Sequence, residues 1–139
     1  SAAQTPGRLN LFKFENFTIL LDYAHNPAGM RALKKFADKL EASHRVCIIA
    51  GIGDRREEDN NMIGSIAAEM SDEIIIRQDK RLRGKTEEEL IKMLDDGIKM
   101  KNAKKNSLII LCSDVVPDAL ELVQKFKEQE ASGEKVFSQ

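Results

Sequence analysis

The sequence predicts an α/β domain: a mainly parallel sheet with helices on both faces, entered through an N-terminal β-hairpin. Three observations carry this. Val46–Ala50, Ile74–Ile76 and Leu108–Leu111 are near-continuous apolar runs, the pattern of strands buried on both sides. Between them lie helix-length stretches whose apolar residues recur every three or four positions. No internal repeat or Pro/Gly-rich linker divides the 139 residues, so they are read as one domain.

Leu9–Glu15, a turn at Asn16 and Phe17–Leu21 read as the hairpin. Pro27–Glu41 reads as a helix, with Met30, Leu33, Phe36, Ala37 and Leu40 on one face. His44 is expected to be exposed near that helix's end, and Arg45–Ala50 to be a buried strand. Glu57–Met70 follows as a helix whose apolar face holds Met62, Ile63, Ile66, Ala67 and Met70. Glu73–Arg77 is the next strand and Gln78–Lys85 a polar loop. Thr86 and Glu89 form a capping box that opens a helix running to about Met100 through Leu90, Ile91, Leu94 and Ile98. Ser107–Cys112 is a strand, and Val116–Gln129 is a helix built on Ala119, Leu120, Val123 and Phe126. Lys135–Phe137 is long enough for a short last strand.

Composition excludes several functions. Twenty-two Lys and Arg against 23 Asp and Glu leave no basic surplus for nucleic acid. No apolar run approaches the ~20 residues a membrane helix needs. Ser1–Asn10 has no apolar segment of a signal peptide, and Ser1-Ala2-Ala3 reads like the remnant of an expression tag. Cys47 and Cys112 sit in apolar strands without a CxxC or Cys/His cluster, so they read as buried hydrophobes in a cytoplasmic protein. No metal-ligating set is recognisable.

In parallel sheets ligands bind beyond the carboxyl ends of the strands. That points to the loops at Asp22–Pro27, Gly51–Arg56, Arg77–Gly84 and Ser113–Pro117. In the first, Asn26 is a natural N-cap and Pro27 a natural first helical residue, so the helix start attracts anions. Asp22 and His25 flank that pole, in reach of a ribose hydroxyl and a phosphate. Equally, Asp22 and Asn26 can serve only as backbone caps and His25 as a loop histidine. Gly51-Ile52-Gly53-Asp54-Arg55-Arg56 begins like a dinucleotide fingerprint, but Arg56 stands where the third Gly belongs. The glycines suit a tight turn that aims Arg55 or Arg56 at an anion, or else a solvated charged face. Arg77–Lys85 crowds five cations around Asp79, a patch suited to a carboxylate or phosphate, or simply solvated charge. No GxxxxGK[ST] phosphate loop and no nucleophile–base arrangement is present, so these loops read as half of an active site.

Pro6-Gly7-Arg8, then Asp22-Tyr23-Ala24-His25-Asn26-Pro27, then Gly53-Asp54-Arg55-Arg56 resemble, in this order, the C-terminal domain of the Mur ligase family. Thr5–Asn10, Asp22–Gly29, Gly53–Asp59 and Arg77–Gly84 bring the resemblance nearest to the muramyl-ligase-like part of cyanophycin synthetases. The resemblance covers essentially the whole chain. It implies a Rossmann-like third domain that closes over ATP and Mg²⁺ held by a central domain, which carries the phosphate loop. Such ligases activate a carboxylate as an acyl phosphate, which an amine attacks to form an amide. In the cyanophycin branch arginine is joined to the β-carboxyl of aspartate in a carboxylate-bearing polymer.

By the same resemblance, Arg8 and His25 are the expected catalytic residues. Arg8 would meet the nucleotide phosphates, Asp22 the ribose or adenosine side, and His25 and Asn26 the border of that pocket. Asp54, Arg55, Asp79, Lys80 and Arg83 match the region that holds the incoming amino acid. Asp79-Lys80-Arg81-Leu82 departs from the Asp-Asn-Pro-Arg run of the diaminopimelate-adding murein ligases, which counts against a murein substrate. The chain alone is expected to lack ligase activity. The alternatives are another Mur-type ligase, murein- or folylpolyglutamate-like, and a non-catalytic binding module that kept the fold.

Overall fold

The computed structural model describes residues 9–24, 26–50, 57–77, 96, 107–113 and 116–134. In chain order these form β1 (Asn10–Lys13), β2 (Phe17–Asp22), α1 (Pro27–Ala37), β3 (His44–Ala50), α2 (Glu57–Met70), β4 (Glu73–Arg77), β5 (Ser107–Ser113) and α3 (Val116–Ala131). The strands make one sheet in the order β1-β2-β5-β3-β4. β1 pairs antiparallel with β2 in the expected hairpin, and β2, β5, β3 and β4 run parallel.

The central strands are buried on both faces, as their unbroken apolar runs require. Ile19, Leu21, Val46, Ile48, Ile109 and Leu111 point to one side, where Val123 and Phe126 of α3 cover them with Phe14 and Phe17. Leu20, Cys47, Ile49, Leu108, Ile110 and Cys112 point to the other, under Met30, Leu33 and Ala37 of α1 and Ile63, Ile66, Ala67 and Met70 of α2. Both cysteines are free and buried, filling space as small hydrophobes. This is the doubly covered α/β sheet that the alternation of runs predicts.

Four local expectations need correction. The first helix ends at Ala37 rather than Glu41. Its last turn tightens through Lys39 N–H to Phe36 O at 3.1 Å and Leu40 N–H to Ala37 O at 3.0 Å. The Arg45 guanidinium then donates to the exposed carbonyls, to Ala37 O at 2.5 Å and also to Leu40 O, which closes the helix from outside. Leu40 still packs on the core, and for that reason its periodicity runs past the end. His44 is buried, not exposed: it opens β3, with Nε2 2.7 Å from Glu73 Oε2 and Nδ1 3.5 Å from Asp72 Oδ2. Met62 leaves the buried face of α2 and is 44% exposed. Ile76 is 55% exposed because β4 lies at the end of the strand order, with only β3 paired beside it among the described strands.

The expected helix from Thr86 to about Met100 falls outside the described residues except at Asp96, which is helical. The expected strand at Lys135–Phe137 lies outside them altogether. No helix among the described residues is long and apolar enough to cross a membrane.

Candidate functional site

Strand register defines where a ligand can approach. Asp22 pairs with Cys112, Cys112 with Ile49, Ser113 with Ala50, and Ala50 with Arg77. The carboxyl ends of β2, β5, β3 and β4 therefore stand in one row, and all four candidate loops leave the sheet from that row. The chain leaves β2 into α1 and β3 into α2 on one face, but leaves β5 into α3 on the other. β5 lies between β2 and β3, so the connections diverge on either side of it. Such a divergence opens a crevice at the strand ends, the usual ligand position in doubly wound sheets.

Asp22 ends β2 in this row, and α1 starts a few residues on. The Asp22 side chain is buried, at 3% exposure, and its Oδ1 accepts the Leu9 backbone N–H at 2.8 Å. Leu9 is the residue just before β1, across the hairpin ladder from Asp22, and its φ is +52°. Asn26 is the N-cap of α1, with extended backbone at φ −142° and ψ 166°, and Pro27 follows it in the first turn. Asn26 Oδ1 accepts the Gly29 N–H at 2.8 Å, and Asn26 O accepts the Met30 N–H at 3.0 Å. A Cβ on Gly29 would stand 3.3 Å from Asn26 Oδ1 and 3.6 Å from Ala24, so a bare backbone suits this close turn. Asn26→Ala is expected to cost about 1 kcal/mol of domain stability. A urea-unfolding midpoint indistinguishable from that of the unsubstituted chain would show the cap to be dispensable.

Of the sequence-predicted site residues, the structure places Asp22 at the end of β2 and Asn26 at the N-cap of α1. Arg8, His25, Asp54, Arg55, Asp79, Lys80 and Arg83 lie outside the described residues. The described chain reaches the borders of their loops at Leu9, Ala24, Asn26, Ala50 and Arg77. Among the described residues no group of three or more His, Cys, Asp or Glu could hold a metal ion. What the sequence reading missed is the Asp22–Leu9 bond. Its only sequence signal is an acidic residue at a strand end, which does not name a partner 13 positions away.

The family model described as the Mur ligase, glutamate ligase domain matches residues 7–136. The chain belongs to this Mur ligase C-terminal domain family. A cyanophycin synthetase of Crocosphaera subtropica is 41% identical over 111 residues, 80% of this chain and 13% of that protein. Another, from Geminocystis herdmanii, is 33% identical over 90% of this chain and 17% of its own length. A UDP-N-acetylmuramoyl-L-alanyl-D-glutamate–2,6-diaminopimelate ligase of Aquifex aeolicus is 31% identical over 70% of this chain and 20% of its length. The chain thus spans about a fifth or less of these relatives. An E. coli FolC structure with ADP superposes with a TM-score of 0.59 at 21% identity, over 92% of this chain and 34% of that one. A diaminopimelate ligase structure gives 0.59 at 14% identity, over 91% and 32%. At such identities the two structures speak for the fold, and they place this Mur ligase C-terminal domain among Rossmann-like α/β domains.

Proposed function

We propose that residues 1–139 form the third, C-terminal domain of a longer, cytoplasmic Mur-type ligase whose ATP-binding central domain is not in this chain. The domain would supply the nucleotide- and amino-acid-facing wall of an ATP-dependent acid–amino-acid ligase most like cyanophycin synthetase. The observation that carries this is the 41% identity to a cyanophycin synthetase, set beside 31% to a diaminopimelate ligase. The crevice at the strand ends supports it, because the four motif-bearing segments leave the sheet there.

In this reading the γ-phosphoryl group of ATP passes to a carboxylate oxygen of the acceptor polymer, and ADP leaves. The amine of an amino acid, arginine in the cyanophycin branch, then attacks the acyl carbon. The C–O bond to phosphate breaks, the nitrogen gives up a proton, and an amide with the aspartate β-carboxyl remains. Arg8 meets the phosphates and offsets charge on the transferring group. Asp22 lies on the ribose or adenosine side, and His25 and Asn26 border the same pocket. Asp54 or Asp79 pairs with the guanidinium of arginine, while Arg55 or Arg83, with Lys80 beside them, holds its α-carboxylate. Closure of this domain on the central one keeps water from the acyl phosphate. The Mg²⁺ that accompanies ATP would be held mainly by the central domain.

The test follows phosphate release from Mg-ATP by the full-length protein with a poly-aspartate primer, supplying arginine, lysine, glutamate or diaminopimelate in turn. Release that needs arginine and primer together is the expected result. Release with diaminopimelate would instead establish the murein-type reading that the Aquifex relative favours. Phosphate release under none of these conditions would leave a binding module that kept the fold.

A further inference from the structure

We draw no further inference here: the strongest candidate, the outer edge of β4 with the exposed Ile76 at one end of the strand order, carries none because nothing among the described residues shows what covers it.

Discussion

Arg8→Ala in the full-length protein is expected, on the proposed ligase reading, to lower kcat for primer-dependent phosphate release by about 100- to 1000-fold. The reasoning is electrostatic. A guanidinium offers a fixed fork of donors to phosphate oxygens, and in a closed, water-poor site such donors act chiefly on charge that develops during transfer. In the proposed reading the central domain also binds ATP in the ground state, so KM should rise much less than kcat falls. Arg8→Lys keeps the charge but not the fork, and an intermediate kcat is expected. The same substitutions should leave the melting temperature of the domain within a degree or two. A kcat within threefold of the unsubstituted enzyme for Arg8→Ala would remove Arg8 from the phosphates.

The parts of this domain that local physics determines were readable from residues alone. The strand Glu73–Arg77 and the helix Glu57–Met70 have the bounds their apolar patterns predict. Asn26 before Pro27 caps α1 because both residues suit those positions by their own chemistry. The sheet's burial on two faces follows from runs such as Leu108–Leu111, which leave no side for water.

What escaped was set by partners distant in sequence. His44 is polar and follows a helix, so it reads as surface; Glu73, 29 residues on, is what accompanies it into the interior. The end of α1 was misplaced because Arg45, beyond the helix, takes its last carbonyls. Ile76 resembles Ile74 and Ile75 in sequence, yet its exposure depends on strand order, which no local pattern encodes. At the candidate site the row of strand ends was legible from the alternation of elements. The left-handed Leu9 was not, since nothing about a leucine announces positive φ.

Phe126→Ala is expected to cost about 3–5 kcal/mol of stability, a large share of the ~5–15 kcal/mol that holds a domain of this kind together. Among the residues whose burial is described, seven of α1 and α2 lie on one face, and Val123 and Phe126 of α3 lie on the other. Phe126 is the largest fully buried side chain of the described core, at 1% exposure, and it shares its cluster with Phe14, Phe17, Ile19, Ile48 and Ile109. Removing its ring leaves a cavity beneath the strands.

Phe126→Leu keeps most of the volume and should cost less, about 1 kcal/mol. Urea unfolding followed by circular dichroism reads both. A loss below about 1 kcal/mol for Phe126→Ala would mean that other residues close the α3 face, and that its hold on β5 does not depend on this ring.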